Sequence, residues 1–208
     1  MILKYFKAYF QLPDWTRHFY KGVTFRRDKD KKVLYLTFDD GCVPEVTPQI
    51  LDILDRYGIK ATFFVVGENA AKYPDLLDDL RRRGHRVGNH TFNHLKGTKT
   101  TTAEYIANVA QANLYLQTDL FRPPYGRITR HEKQLIGRKY EIVLWDLITH
   151  DYDKRIAPVE IMQRIRQCTR NGSIINFHDS LKAAPNTLAV LPQAIQFWLA
   201  EGYSFATL

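Results

Sequence analysis

Short apolar runs alternate with amphipathic segments along the chain from residue 33 onward. Residues Val33 to Phe38 (VLYLTF) form a continuous apolar and aromatic run, which is typical of a buried strand. From Pro44 to Tyr57 the apolar residues recur at helical spacing, and Gly58 follows as a helix stop. The pattern therefore predicts a strand followed by an amphipathic helix.

The same alternation continues to the C-terminus. Further strands are predicted over 61–66, 85–91, 120–122, 141–145, 173–177 and 203–206. Further helices are predicted over 70–83, 102–118, 130–138, 158–170 and 188–199. Two of these helices are preceded by capping boxes, formed by Thr101 with Glu104 and by Thr129 with Glu132.

About seven strands with about six helices between them indicate an α/β fold with parallel strands and right-handed crossovers. The 208 residues are few for an eight-unit barrel, which typically needs about 250, and a doubly wound open sheet fits the same count. No long polar linker divides the chain, so we expect one domain over residues 33–208. Residues 1–32 are aromatic, basic and irregular, and we expect them to form an extension packed on the core.

Composition narrows the class of protein. The 30 basic and 22 acidic residues give a net charge of +8, but the cations are scattered, which disfavours nucleic acid as a partner. An anionic membrane surface or a charged wall polymer stays a candidate contact. Two cysteines exclude a disulfide-dense scaffold and a multi-cysteine metal site. The chain has no apolar run of about 20 residues and no clear signal peptide, so we expect a cytoplasmic protein. The sequence makes no prediction of the oligomeric state.

Five polar clusters follow directly on predicted strands. They are Asp39-Asp40-Gly41, His90-Thr91-Phe92-Asn93-His94, Arg122-Pro123-Pro124-Tyr125-Gly126, Trp145 with Asp151-Tyr152, and His178-Asp179. In a parallel α/β barrel the segments that follow the strands meet at one rim, where active sites form. We therefore expect these clusters to lie together in a single site.

The pair His90 and His94 suggests a metal site. On a helical turn, histidines four residues apart share one face and can bind one ion. No glutamate lies between them, so the pattern differs from the HExxH motif of zinc proteases. Asp39-Asp40 can supply a third ligand and a general base. Two imidazoles and one carboxylate leave coordination positions for water and substrate.

Two other clusters suggest proton transfer and charge stabilisation. The rigid pair Pro123-Pro124 leaves the following backbone N–H free to stabilise an oxyanion. Arg122 can pair with a carboxylate. His178, beside a carboxylate such as Asp151, can act as a general acid.

The ordered motifs TFDDG, HTFNH and RPPYG, with the two later clusters, resemble the NodB-type polysaccharide deacetylases, carbohydrate esterase family four, over roughly residues 33–207. The resemblance implies a distorted (β/α)7 barrel, similar to a TIM barrel, with parallel strands. It implies a metal-dependent hydrolase that removes an N-acetyl group from an amino-sugar glycan of the peptidoglycan or chito-oligosaccharide type. One divalent ion is implied, with Zn²⁺ expected and Co²⁺, Ni²⁺, Mn²⁺ or Fe²⁺ as alternatives.

The resemblance also implies a role for each site residue. The implied metal ligands are Asp40, His90 and His94. The implied catalytic residues are Asp39 as base, Arg122 as its orienting partner, Tyr125 as backbone donor to the oxyanion, His178 as acid and Asp151 as the carboxylate that tunes it. The implied substrate-binding residues are Pro124, Tyr125, Trp145, Tyr152, Ile175 and Asn176.

The chain departs from the family pattern at three positions. Cys42 stands where the family has proline, and we interpret it as a small buried filler, with metal ligation or oxidation as alternatives. Tyr152 stands where the family has tryptophan. Near the expected acetyl pocket the family favours leucine, whereas Ile175, Asn176 and Phe177 precede His178 here. Asn176 predicts a more polar acyl pocket.

Other functions stay open at this point. The same fold and metal would serve an amidohydrolase that acts on a lipid-linked amino sugar or a small amide. A barrel that lost catalysis would be a carbohydrate-binding module. An iron(II) oxygenase also uses two histidines and one carboxylate, but the strand–helix alternation disfavours it.

Overall fold

Nine parallel strands form one curved sheet in the computed structural model, which describes residues 10–11, 13–15 and 20–208. The strands are β1 (Val23–Thr24), β2 (Val33–Asp39), β3 (Thr62–Val65), β4 (Arg86–Asn89), β5 (Leu120–Phe121), β6 (Glu141–Val143), β7 (Leu147–Ile148), β8 (Ile174–His178) and β9 (Ser204–Phe205). The helices with described bounds are α1 (Thr47–Arg56), α2 (Gly67–Lys72), α3 (Pro74–Arg82), α4 (Thr102–Leu116), α5 (Arg130–Ile136), α6 (Pro158–Cys168) and α7 (Ala184–Ala200). Short 3₁₀ turns span Gly97–Lys99 and Pro124–Gly126.

The strand order confirms the expected barrel. It runs β1-β6-β5-β4-β3-β2-β8-β7, with β9 beside the start of β2. Strands β2 to β6 follow one another without reversal, and β8 lies next to β2, so the order is that of a barrel and not of a doubly wound sheet. The strands β2 to β8 are the seven that the resemblance implied. Strands β6 and β7 are not paired with each other, so the barrel is open there.

The open edge is extended by a strand that the sequence pattern did not predict. Strand β1 lies within the N-terminal segment and pairs in parallel with β6, with Val23 opposite Ile142. Both residues of this strand are half-buried, and the segment around it shows no continuous apolar run. The division of the chain at residues 32 and 33 stays a prediction.

The continuous apolar run of β2 has two buried faces. Leu34, Leu36 and Phe38 lie in the main core cluster with residues of the surrounding helices. Thr37 and Asp39 point to the opposite, inner face, because neighbouring side chains alternate along a strand. The inner face therefore becomes polar where the strand ends.

Two predicted elements proved to be divided. The helix predicted over 70–83 is two helices, α2 and α3, with a break at Tyr73. Pro74 begins α3 because it lacks an N–H and excludes the helical conformation from the residue before it. The strand predicted over 141–145 ends at Val143, and the separate strand β7 was not predicted.

The remaining predicted elements are confirmed, with shifted ends. Helix α1 begins at Thr47, three residues after the predicted start, and α7 begins at Ala184, four residues before it. Both capping boxes are formed, with reciprocal side-chain and backbone hydrogen bonds. Within the described ranges, no helix combines the length and apolar character that a membrane span requires.

Candidate active site

Most of the predicted site residues line one cleft of about 760 Å³ at the carboxyl ends of the strands. The predicted residues that line it are Asp39, Asp40, His90, His94, Tyr125, Trp145, Tyr152, Asn176 and His178. Arg122 and Asp151 are buried behind the wall and hydrogen-bonded to lining residues. Five segments that are distant in sequence therefore meet at one rim.

Asp40, His90 and His94 form a set of ligand atoms that lie within 4.8 Å of one another. Asp40 Oδ1 lies 3.3 Å from His94 Nε2 and 3.8 Å from His90 Nε2. That oxygen is buried and has no hydrogen-bond partner in the described part of the chain. A buried, unpartnered carboxylate oxygen that faces two imidazoles fits a divalent cation.

The protonation state of His90 agrees with the binding of a divalent cation. Burial lowers the pKa of His90 to about 4, so the imidazole is neutral at physiological pH. Its Nδ1 lies 2.7 Å from the Arg122 carbonyl oxygen and must donate to it. The lone pair is then on Nε2, which faces Asp40.

The prediction that His90 and His94 lie on a helical turn is wrong. His90 and His94 lie in an irregular loop after β4, and Thr91 and His94 have φ values of 64° and 57°. The loop is held by side chains, since Asn89 accepts from the Thr91 N–H and Asn108 accepts from the Phe92 N–H. Left-handed residues, and not a helical period, bring the two rings to 5.1 Å.

Asp39, the predicted base, is nearly fully buried and is held by two partners. Arg122 Nη1 donates to Oδ1 at 2.6 Å, and Asn176 Nδ2 donates to Oδ2 at 3.1 Å. Burial alone would raise the pKa of Asp39, but the charge of Arg122 and its hydrogen bond hold that pKa below the ordinary value. The carboxylate is therefore ionised at neutral pH.

Arg122 is fully buried, and its guanidinium is satisfied within the barrel. Nη1 also donates to Thr37 Oγ1 and to Asn176 Oδ1, each at 2.8 Å. The guanidinium lies over the Phe64 ring, 4.0 Å from its centroid. A buried cation of this kind requires the negative charge of Asp39.

The structure changes the interpretation of Asn176. The side chain reaches the cleft, but its oxygen accepts from Arg122 and its nitrogen donates to Asp39. An amide engaged at both ends positions the carboxylate, and the polar acyl pocket that we expected at Asn176 stays a prediction. The register pairs Thr37 with Asn176 and Asp39 with His178, which places all four on the inner face.

Two predicted substrate-binding residues do not line the cleft. Ile175 is buried in the helix-facing core with Phe38 and Phe177. Side chains alternate along β8, so Ile175 and Phe177 lie on the face opposite Asn176. Pro124 is buried within its own 3₁₀ turn. The expectation that these two residues contact substrate stays a prediction.

His178, the predicted acid, is held by Asp151. Its Nδ1 lies 2.7 Å from Asp151 Oδ1, and its backbone N–H donates to Oδ2 at 2.8 Å. Thr187 Oγ1 donates to the same Oδ2 at 2.6 Å. Burial alone would lower the pKa of His178, but the charge of Asp151 and its hydrogen bond raise that pKa to about 9. The imidazole is therefore cationic at neutral pH.

Tyr125, the predicted oxyanion donor, has a left-handed backbone with φ 61° and ψ 10°. Its N–H donates to no acceptor among the described residues. Five of the seven non-glycine residues with positive φ in the described part lie in or beside the cleft, and they are Asp40, Thr91, His94, Tyr125 and His150. A left-handed backbone costs a non-glycine residue conformational free energy. Such conformations persist where surrounding contacts enforce them, which is common at functional sites.

Sequence reasoning assigned no role to Asp179, which supports the loop that carries Asp40. Its Oδ1 accepts from the Gly41 N–H and its Oδ2 from Thr47 Oγ1, at 2.8 and 2.7 Å. A Cβ at Gly41 would lie 2.0 Å from Asp179 Oδ2, so the loop requires glycine. The position of Asp179 directly after His178 was the feature of the sequence that could have indicated its role near the site. Cys42, next in this loop, is buried in the core, as the filler interpretation predicted.

Comparisons with known proteins agree with this geometry. The family model described as polysaccharide deacetylase matches residues 26–141. The peptidoglycan-N-acetylglucosamine deacetylase PgdA of Listeria monocytogenes is 34% identical over 86% of this chain and 39% of its own length. A peptidoglycan-N-acetylglucosamine deacetylase of Bacillus cereus is 31% identical over 89% of this chain and 90% of its own length.

Solved structures extend the similarity to the fold. The crystal structure of the Bc1960 peptidoglycan N-acetylglucosamine deacetylase superimposes with a TM-score of 0.88 at 29% identity, covering 94% of this chain and 95% of that one. The chain spans about two fifths of the length of the Listeria relatives that it matches. The matched segment contains the motifs that supply Asp39, Asp40, His90, His94 and Arg122. The chain therefore belongs to the polysaccharide deacetylase family.

Proposed function

We propose that the protein is a metal-dependent hydrolase that removes the N-acetyl group from an amino sugar in a glycan of the peptidoglycan or chito-oligosaccharide type. The observation that carries the proposal is an acid–base pair beside a ligand triad. The pKa of Asp39 is lowered and that of His178 is raised, and both side chains line the same cleft. These shifts keep Asp39 deprotonated and His178 protonated at neutral pH, which are the states that a proton acceptor and a proton donor require.

One divalent ion would be held by Asp40, His90 and His94. When bound, it would polarise the amide carbonyl and lower the pKa of a water molecule. We propose Zn²⁺, with Co²⁺, Ni²⁺, Mn²⁺ and Fe²⁺ as alternatives, because two imidazoles and one carboxylate accept each of these ions.

The chain's own residues supply the remaining chemistry. Asp39 accepts the proton of the attacking water, and Arg122 and Asn176 hold its two oxygens in place. The N–H of Tyr125 donates to the oxygen that becomes negatively charged as water adds to the carbonyl carbon. The left-handed turn presents this N–H without an internal acceptor.

His178 completes the reaction. The cationic imidazole donates a proton to the amide nitrogen as the carbon–nitrogen bond breaks, so acetate and a free amino sugar leave. Asp151 keeps the imidazole protonated and fixes its orientation through Nδ1. The aromatic side chains of Tyr125, Trp145 and Tyr152 line the cleft and are suited to pack against sugar rings.

The relatives support a glycan substrate, since their names specify peptidoglycan N-acetylglucosamine. Contact with an anionic membrane or wall polymer, and the compartment in which the protein acts, stay predictions from the sequence.

The proposal is tested by measuring acetate and amine release from N-acetylglucosamine oligomers and peptidoglycan fragments after loading with Zn²⁺ or Co²⁺. We expect turnover that is lost when a chelator removes the metal and returns when metal is added. Release from a small amide only would favour the amidohydrolase alternative. A metal-loaded protein that binds these glycans and releases no acetate would contradict the proposal.

Asn176→Leu is expected to lower kcat by about tenfold and to change KM little. The substitution removes the donor to Asp39 Oδ2 and one acceptor of Arg122, so the base is less well oriented, and a misplaced catalytic group costs this much or more. Metal content, measured in parallel, should be unchanged. Gln134→Leu, an exposed amide-to-leucine change on α5, is the control. Wild-type kcat in Asn176→Leu would show that the amide does not position Asp39.

A further inference from the structure

A second cavity of about 540 Å³ adjoins the cleft, and Arg127 lines both. It lies between β1, the turn after Tyr125 and the first turns of α5. Its charged lining residues are Lys21, Arg127, Arg130 and Lys133, and none of its lining side chains is a carboxylate. Gly126 of the RPPYG motif lines this cavity, but the proposed chemistry does not use it.

The N-terminal segment builds one wall of this cavity. Val23 of β1 lines it together with Ile142 of the paired strand β6. Lys133 Nζ donates to the Lys21 carbonyl oxygen at 2.9 Å, which ties α5 to the segment that precedes β1. The cavity therefore depends on residues that lie outside the five motifs.

Within the described part of the chain, none of the four cations of the cavity forms an ion pair with a carboxylate. Among the described residues, no carboxylate oxygen lies within 4.0 Å of the side-chain nitrogens of Lys21, Arg127, Arg130 or Lys133. These side chains therefore present uncompensated positive charge to whatever enters the cavity. Concave surfaces lined by one sign of charge concentrate ligands of the opposite sign.

The positive charge continues across the mouth of the catalytic cleft. Lys96 Nζ lies 5.3 Å from the centroid of the Tyr125 ring, and Lys182 Nζ lies 5.4 Å from that of Tyr152. The two acidic residues that line the cleft are already engaged, since Asp39 pairs with Arg122 and Asp40 belongs to the ligand triad. A substrate in the cleft therefore lies near Lys96 beside Tyr125, near Lys182 beside Tyr152, and near Arg127, which borders the second cavity.

We propose that the second cavity is an anion-binding subsite that takes a carboxylate or phosphate substituent of the glycan, on a sugar next to the one that is deacetylated. Guanidinium groups bind both of these anions in bidentate geometry, and Arg127 and Arg130 supply two of them. The inference rests on the proposed function, because the reacting amino sugar occupies the adjoining cleft. It makes the natural substrate an acidic glycan and not neutral chitin.

The first test compares kcat/KM of the metal-loaded protein on glycans of equal length. The substrates are an N-acetylglucosamine oligomer, an oligomer in which N-acetylmuramic acid alternates with N-acetylglucosamine, its amide derivative without free carboxylates, and a phosphate-bearing oligomer. We expect kcat/KM to be at least about tenfold higher for an anionic substrate than for the neutral ones. A tenfold ratio corresponds to the free energy that one hydrogen bond to a charged group contributes. Which anionic oligomer is preferred identifies the substituent. Added salt should reduce the preference.

The second test assigns the preference to the cavity. Arg130→Gln should reduce the ratio of kcat/KM on acidic and neutral glycans by about fivefold, since one charged contact is lost. Arg138→Gln makes the same charge change at an exposed position outside both cavities and should leave the ratio as in wild type. An equal effect of both variants would assign the preference to general surface charge and overturn the proposal.

A binding titration separates this inference from the proposed function. Calorimetry of the same four glycans with wild type and Arg130→Gln requires no turnover. Tighter binding of an anionic glycan to wild type, without deacetylation of any glycan, would support the subsite and contradict the activity. Deacetylation of all glycans with equal kcat/KM and equal affinity would support the activity and overturn the subsite.

Discussion

Asp39→Asn is expected to lower kcat by about 10³-fold, within the range that general base catalysis contributes. The asparagine oxygen can still accept from Arg122, but its amide nitrogen faces the Asn176 Nδ2 donor, so one hydrogen bond is lost together with the proton acceptor. Asp39 is not one of the three residues that supply ligand atoms, so the metal content should remain that of wild type. Acetate release and metal content, measured on the same sample, check both expectations.

The same substitution should also lower stability. Arg122 is fully buried, and removing its counter-charge leaves an unpaired cation, which costs about 3 to 5 kcal/mol. Thermal unfolding therefore has to accompany the activity assay, and the assay temperature has to lie below the transition of the variant. Asp30→Asn, an exposed carboxylate outside the cleft, is the matched control. Folded, metal-loaded Asp39→Asn with more than a tenth of wild-type kcat would exclude Asp39 as the base.

Asp151→Asn is expected to move the alkaline limit of activity to lower pH. A general acid works only while it is protonated, so activity falls as pH rises through its pKa. Asp151 raises the pKa of His178 from the ordinary 6.5 to about 9, and an asparagine cannot stabilise the imidazolium in this way. Because burial lowers the pKa once Asp151 is removed, we expect it at or below its ordinary value, so the protonated fraction at about pH 8 falls at least about 30-fold, and kcat/KM should fall with it.

The pH dependence of kcat/KM, together with an NMR titration of the His178 ring, measures this shift. Asp153→Asn is the matched control, because Asp153 lies two residues away in the same loop and pairs with exposed Arg155. An unchanged alkaline limit in Asp151→Asn would contradict the role of Asp151.

The same pair makes stability depend on pH, with a definite sign. The folded-state pKa of His178 lies above its ordinary value, so the ion pair contributes its full stability below about pH 6.5. That contribution is lost as pH rises through about 9. It should be absent at every pH in Asp151→Asn, which thermal unfolding across this range can measure.

Local features of this chain could be predicted because their causes are local. The apolar run of β2, the helical spacing of α1 and the two capping boxes each depend on residues within a few positions of one another. Strands β1 and β7 were missed, whereas β5 and β9, which have the same length of two residues, were predicted. The break at Tyr73 could have been read from Pro74, but the apolar period continued through it.

The site was predicted in composition but not in arrangement. The motifs supplied the residues that we propose as acid, base and metal ligands, and they meet in one cleft because each motif follows a strand and parallel strands end at one rim. The histidine loop was assigned to a helical turn because spacing alone does not reveal left-handed residues such as Thr91 and His94. The hydrogen bonds of Asn176 were not predicted because its partners, Asp39 and Arg122, are distant in sequence.

The sequence by itself determined the alternation of strands and helices, the family and the chemical groups of the site, since these depend on local order and on residue type. Only the tertiary structure decided which partner each group has. The register of β2 against β8 places Asn176 across from Thr37 and turns Ile175 into the core. The pairing of β1 with β6 forms a wall of the basic cavity. Contacts of this kind join residues more than 100 positions apart, and no local pattern records them.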